Sequence, residues 1–221
     1  QASASSPITS GTFTIEAWIK IDTNYSGYKT IYSSTSGFFL KDGKMNWYQG
    51  ADRFIGTTTI TQFEWNHIAV SYNGNVLTGY INSVLNSSSN FTGGQLPIFG
   101  VGIGGHTLEY FDGLIDELRV WNFARSQSEI NNTMNDTLGS AYYSSADSGL
   151  ISYWRFDTLE DLGINNDGAD DVRDFSIYNN HCDLVGDATL FTSIPVELIS
   201  FTAIQINNTI LLNWQTATEI N

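Results

Sequence analysis

Cysteine is almost absent from this sequence. Cys182 stands alone, so no internal disulfide can form and the fold has to hold by its core. This does not fix a redox compartment, because a large domain needs no staples. Basic residues are scarce as well, 9 Lys and Arg against 23 Asp and Glu, for a net charge of −14. Phosphate backbones are bound by clustered Lys and Arg, so nucleic acid is excluded as a partner. Polyanions such as sulfated glycans are disfavoured too, unless a bound cation bridges the two. No run of about 18 apolar residues occurs, so no membrane insertion by a helix is expected. With few Lys and abundant Asn, Ser, Thr and Gly, the composition points to a secreted or cell-surface protein. Gln1 is preceded by no Met or leader and Asn221 falls in mid-pattern, so both ends read as clipped from a larger multidomain chain.

What is present is a series of short strand patterns separated by turns. In "TFTIEAWIKI" (12–21), Phe13, Ile15, Ala17, Ile19 and Ile21 share one face, and Glu16, Trp18 and Lys20 share the other. Further strands are predicted at 29–34, 37–41, 44–49, 54–60, 66–73, 76–83, 98–105, 111–122 and 150–157. Asp42-Gly43 and Asn73-Gly74 fall where hairpins need turns. One segment reads as helix: in "ARSQSEINNTM" (124–134), Ser126 and Glu129 fit a capping box, with Ile130 and Met134 at i, i+4. The predicted fold is all-β, a two-sheet antiparallel β-sandwich with one short helix. Phe13, Ile15, Ile19, Ile68, Val70, Leu118 and Val120 are its predicted core.

The stretches "FTIEAWIKI", "EWNHIAVSYNG", "FDGLIDELRVWNFARSQSEI", "LISYWRFD" and "DFSIYNNHCDL" resemble, in order and spacing, the LamG-like or concanavalin A-like jelly-roll family. The resemblance covers about residues 8–194, and the family's first strand is expected to lie before Gln1, missing from this sequence. It implies a jelly roll of a kind that serves lectins, adhesins, hydrolases and spacers. The segment "IPVELISFTAIQINNTILLNWQTATEIN" resembles the linker and opening strands before C-terminal sorting domains of type IX secretion cargo in Bacteroidetes. The expected domains are therefore 1–194, the jelly roll, and 195–221, a linker with the opening strands of a second β-domain.

The most informative stretch for chemistry is "FDGLIDELRVWN" (111–122), where Asp116 and Glu117 are adjacent. Side chains alternate along a strand, so the two cannot share a cleft unless a bulge intervenes. Glycosidase carboxylates flank one bond from one side of a groove, roughly 5–9.5 Å apart. Adjacent placement therefore speaks against catalysis. Asp116 is expected beside Leu118 and Val120 on the apolar face, taking hydrogen bonds or a cation, and Glu117 beside Arg119 and Trp121, pairing across strands with Glu16 or Lys20. His67, His106 and His181 lie in separate segments without metal-ligand spacing. "GVGIGGH" (100–106) has strands on both sides and is no dinucleotide loop.

Two further sets of residues suit binding. Pyranose rings stack on aromatic side chains, and the candidates are Trp47 and Tyr48, Tyr25 and Tyr28, and His106 and Tyr110. Trp47 and Tyr48 alternate on one strand, so one is expected in the core and the other outside as a platform. Trp18, Trp65, Trp121 and Trp154 are expected in the core. The loop "DLGINNDGADDVRD" (161–174) fits part of a calcium loop. Asn165 and Asp167 take its third and fifth positions, Gly168 the sixth, Asp171 the ninth and Asp174 the twelfth. Asp161 or Asp170 can substitute at the ill-fitting positions, and the alternative is a solvated acidic turn. The expected function is a non-catalytic module that binds a glycan or a cell-surface protein, stabilised by Ca2+. The rival readings are a polysaccharide-degrading hydrolase or lyase of the same fold, and a passive spacer.

Overall fold

The alternation in "FTIEAWIKI" becomes a nine-residue strand, and its two faces meet two different surroundings. The computed structural model describes residues 2–3, 11–22, 26–34, 36–96, 99–106, 109–165, 167–186, 188–190, 198–206 and 209–216. In chain order the elements are β1 (Ala2–Ser3), β2 (Phe13–Ile21), β3 (Tyr28–Ser33), β4 (Gly37–Lys41), β5 (Lys44–Tyr48) and β6 (Asp52–Phe54). They continue with β7 (Trp65–Tyr72), β8 (Val76–Ile81), β9 (Val84–Asn90), β10 (Phe99–Ile103), β11 (Gly105–His106), β12 (Glu109–Tyr110) and β13 (Gly113–Trp121). Helices α1 (Gln127–Thr133) and α2 (Ser140–Tyr143) precede β14 (Leu150–Trp154), β15 (Asp171–Val172) and β16 (Cys182–Asp183). One sheet has the order β1-β10-β3-β4-β5-β6 and the other β14-β13-β2-β7-β8-β9, six strands each. All strand pairings within them are antiparallel.

The chain divides into two units, Gln1–Leu190 and Phe191–Asn221. The second is described as a single hairpin of β17 (Leu198–Ile206) and β18 (Thr209–Thr216).

Between the two large sheets lies one apolar core, in which Phe13, Ile15, Ile19, Ile68, Val70, Leu118 and Val120 are all fully buried. The first sheet contributes Ile31, Phe38, Leu40, Met45 and Trp47. Burial of such side chains is the main favourable term, about 1.5–3 kcal/mol for each large one.

The reverse face of the second sheet is covered over β2 and β13. Helix α1 begins with the expected capping box, in which Ser126 accepts from the Glu129 amide and Glu129 accepts from the Ser126 amide. The chain entering it docks on β2: the Arg125 amide donates to Thr14 Oγ1 at 2.8 Å, and Ser71 Oγ donates to the Arg125 carbonyl at 2.9 Å. Glu16, with no exposed surface, pairs with Arg125 and accepts from Trp121 Nε1. Arg119 is its cross-strand partner and donates to the carbonyls of Thr133 and Asp136. A buried carboxylate is tolerable only when partnered in this way. Below this network Trp121, Leu138, Leu150 and Tyr153 form a second small core.

Several expectations need correction. Of the strand expected at 54–60 only Phe54 is strand, as the last residue of β6, and β9, α2 and a 3₁₀ turn at Ala146–Ser148 were not anticipated. The run "VLNSSSN" in β9 alternates no apolar face, because it is an edge strand with Val84 and Leu85 in solvent. Trp121 and Trp154 are buried, but Trp18 and Trp65 are half-buried on the reverse face, where Trp18 Nε1 donates to the Met134 carbonyl.

The largest correction concerns Asp116. Asp116 faces Trp18 and Arg119 faces Glu16, so two residues of β13, Glu117 and Leu118, oppose the single Ala17. Glu117 takes φ +49° to form this bulge. Asp116 therefore lies on the same side as Trp18, away from the core that holds Leu118 and Val120.

Candidate functional site

With α1 and the chain entering it packed on Glu16 and Arg119 of the second sheet, exposed aromatic rings gather instead on the outer face of the β3–β6 half of the first. Alternation along β5 puts Met45 and Trp47 in the core and Lys44, Asn46 and Tyr48 on the opposite face, where Asn46 is itself covered. Trp47 is fully buried and packs on Phe13 at 4.9 Å between ring centroids, so it is a core residue and no platform. Tyr48 is 36% exposed. Register carries this outer face across the sheet: Phe39 lies opposite Thr30 and Asn46, Asn46 opposite Phe54, and Tyr48 opposite Asp52.

At the centre is Asp52. Tyr28 Oη donates to it at 2.7 Å, Asn46 Nδ2 donates at 2.9 Å, and the Lys41 ammonium pairs with it. Burial works to raise the Asp52 carboxyl, but the bonds from Lys41, Tyr28 and Asn46 outweigh it and hold the group below the usual range. The same bond to Asp52, with a further one to Tyr28, holds Lys41 above its ordinary value, so it stays charged. Burial raises Tyr28.

Around this centre the aromatics gather. Phe39 meets Tyr28 edge-on at 6.0 Å and Tyr48 at 6.5 Å. Lys41 lies over the Tyr28 ring at 4.7 Å and near that of Phe54 at 5.9 Å. Phe54 is 47% exposed. The Oδ1 of fully buried Asn46 has no hydrogen-bond partner among the described residues. At the β3 side, Thr30 Oγ1 donates to the Glu109 carbonyl, pinning the β11–β12 hairpin beside this face. That hairpin carries His106 and Tyr110, and Tyr110 is exposed.

The structure thus brings Tyr28 and Tyr48 to one face and ties the Tyr110 hairpin to it, while Tyr25 lies outside the described residues. Lys41, Phe39, Asn46, Asp52 and Phe54 were not picked out by sequence. Their signal is the parity of β4 and β5, read outward from the buried Met45 and Trp47.

The acidic loop divides in two. Asp174 and Asp171 are buried and face inward. Asp174 accepts from the amides of Tyr153, Ser176 and Asn180 and from the Ser176 hydroxyl, each at 2.7–2.8 Å. Its acceptor capacity is spent on tying the loop at Ser176–Asn180 to the edge of β14, so it is a structural residue. Asp171 Oδ2 accepts from the amides of Leu162 and Ile164. The outward group is Asp167, Asp170 and Asp183, whose ligand atoms lie within 4.8 Å of one another and can hold a metal ion. Asp183 was missed by sequence because it sits beyond the loop, on β16, opposite Asp171. Asn165 joins the group by donating to Asp183 Oδ2 at 2.6 Å. One buried oxygen each of Asp170 and Asp183 has no hydrogen-bond partner among the described residues. Burial, and then the charges of Asp167 and Asp183, push the Asp170 carboxyl up.

Asp116 belongs to neither site. Its Oδ1 accepts from the Glu117 amide at 2.8 Å, and Glu117 is held by Arg119 and by Tyr153 Oη at 2.6 Å. Burial first, then Glu117, pushes Asp116 up to about 7.

A family model, Laminin_G_3, described as the concanavalin A-like lectin/glucanases superfamily, matches residues 1–131. The chain belongs to that superfamily. Among solved structures, this concanavalin A-like chain is similar to a candidate carbohydrate-binding protein from Bacteroides ovatus ATCC 8483. The TM-score is 0.62 and the identity 19%, over 87% of this chain and 59% of that one. It is also similar to domain 4 of AbnA, a GH43 extracellular arabinanase from Geobacillus stearothermophilus, solved with arabinotriose. There the TM-score is 0.47 and the identity 22%, over 57% of this chain and 68% of that one. A SAP-like pentraxin from Limulus polyphemus follows, with TM-score 0.44 and 18% identity, over 57% of this chain and 72% of that one. At these identities the likeness is one of fold. No curated protein matches the sequence significantly.

Proposed function

We propose that this concanavalin A-like domain is a non-catalytic carbohydrate-binding module of an exported, multidomain cell-surface protein. The observation that carries the reading is the outer face of β3–β6. There Tyr48 and Phe54 are exposed beside a fixed polar centre of Tyr28, Lys41, Asn46 and Asp52. Apolar sugar faces stack on such rings, while hydroxyls exchange hydrogen bonds with a preorganised polar group. The description of the Bacteroides ovatus protein as carbohydrate-binding agrees with this reading. A hydrolytic role is disfavoured by the engagement of Glu117 with Arg119 and Tyr153, which leaves the Asp116–Glu117 pair no second free carboxylate. The resemblance of 195–221 to sorting-domain linkers supports export.

The test is retention of the full chain on a panel of immobilised polysaccharides, with and without Tyr48→Ala. Retention lost in the variant at unchanged melting temperature supports the platform. Retention undiminished in the variant moves the binding face elsewhere, and release of oligosaccharides by the wild type revives the enzyme.

Calcium is the proposed ion of the Asp167, Asp170 and Asp183 group, with Asn165 beside it. A hard cation suits three carboxylates and relieves the repulsion that raises Asp170. Binding raises stability by about 2.7 kcal/mol at a hundredfold excess over the dissociation constant. Melting in chelator against millimolar calcium tests this, and an equal shift in Asp170→Ala removes the ion from the group.

A further inference from the structure

The central outer-facing charge of β3–β6, Lys41, has a carboxylate beside it in the fold. Lys41 pairs with Asp52 in the centre. The β4–β5 turn contributes Lys44 together with Asp42, whose Oδ1 accepts from the Gly27 amide at 2.9 Å. A carboxylate or sulfate seated against Tyr48 and Phe54 meets Lys41 only in company with Asp52. The attraction to one is cancelled by the other at nearly the same distance. The chain as a whole, at −14, adds repulsion.

A hydroxyl suffers no such penalty. An ammonium has three N–H groups, and Lys41 directs two of them to Tyr28 Oη and Asp52 Oδ2. That leaves a donor for a sugar oxygen beside exposed aromatic rings.

Resting on the carbohydrate-binding reading, we propose that this face selects uncharged polysaccharides, and that Asp52 is the residue that sets the selectivity by neutralising Lys41. Asp52 is a positioning residue. Tyr28, Lys41 and Asn46 already donate to it, so it holds them in place and excludes anions without touching the ligand.

The experiment compares retention of the full chain by neutral polymers (β-glucan, mannan, arabinan, xyloglucan) and anionic ones (polygalacturonate, alginate, a sulfated galactan). It is run in chelator, so that no bound cation bridges protein and polyanion. The wild type is expected to bind at least one neutral polymer and to bind every anionic one at least tenfold more weakly. Asp52→Asn leaves Lys41 uncompensated and is expected to raise anionic retention severalfold at low salt, an increase that 0.5 M NaCl abolishes. Asp52→Ser, which keeps an acceptor for Tyr28 without charge, reads the same effect should the amide disturb Asn46, and circular dichroism confirms that each variant is folded. Anionic polymers held by the wild type as tightly as neutral ones overturn this inference and leave the carbohydrate reading intact. So does an unchanged preference in both folded variants. Retention by no polymer at all overturns the carbohydrate reading and this inference with it.

Discussion

Asp116 and Glu117 are neighbours in β13 and yet lie on the same side of the sheet, because Glu117 at φ +49° takes up one residue of the register. The Asp116 carboxylate is thereby half-buried beside a second carboxylate, which Arg119 and Tyr153 already occupy. Burial and the Glu117 charge raise the folded Asp116 group to about 7, against 3.8 for its ordinary value. Between these two values the folded state binds more protons than the unfolded one, so this group's contribution to stability falls as pH rises. Asp116→Asn is therefore expected to melt increasingly above the wild type as pH goes from 4 to 8. A gap between the two that stays constant across that range rules this out.

Trp47 and Tyr48 are expected to separate cleanly. Trp47→Ala opens a cavity under Phe13 and Phe38 and costs about 3–5 kcal/mol in chemical denaturation. Tyr48→Ala, on the outer face, stays within about 1 kcal/mol of the wild type. Equal losses in the two would place both rings in the core.

Glu16 faces Arg119 and Arg125 with no solvent to screen them. Its removal in Glu16→Ala leaves the buried Arg125 guanidinium without a carboxylate, while Arg119 keeps Glu117, and is expected to destabilise the fold by about 3–5 kcal/mol. By contrast, Glu160→Ala, which breaks the more exposed pair with Arg173, should leave the melting temperature almost unchanged. Similar losses in the two would mean that burial of the network contributes nothing.

Asp170 and Asp174 look alike in "DLGINNDGADDVRD" and are expected to behave oppositely. Asp174→Ala leaves the amides of Tyr153, Ser176 and Asn180 without their acceptor, at a cost of about 3 kcal/mol or more. Amide exchange at Tyr153 should accelerate with it. Asp170→Ala in chelator removes one of three mutually repelling carboxylates and should hold or raise the melting temperature. A fall there would show Asp170 to be structural.

The sandwich is legible in the sequence because local periodicity dictates it: β2 alternates strictly, and Ser126 and Glu129 cap α1 as their spacing requires. The outward position of Tyr48 follows from the same parity. The bulge at Glu117 is not legible. Left-handed residues are usually Gly or Asn, and nothing in "LIDELR" marks a glutamate for that conformation. It is held there by Arg119 and Tyr153, which are brought up by folding. The division of the acidic loop is hidden for a related reason. Whether an aspartate turns inward depends on which amides await it, and those of Tyr153 lie 21 residues back from Asp174. Asp183 and Asp52 escape notice because their partners are distant in sequence or in a different strand.

The cover over β2 and β13 bears on where this domain can be cut. The family match stops at residue 131, in the middle of α1, before the Thr133 and Asp136 carbonyls that receive Arg119. A polypeptide ending there would hold both guanidinium groups against Glu16 but lack β14, the second small core and the Asp174 clasp on its edge. Glu16 waits for Arg125 across 109 residues and Trp18 for Met134 across 116, and contacts of such span close late. Stable folding of the first unit is therefore expected to need the chain at least to Asn180, some fifty residues beyond the end of the family-model match, and a library of C-terminal deletions is expected to find its solubility threshold there.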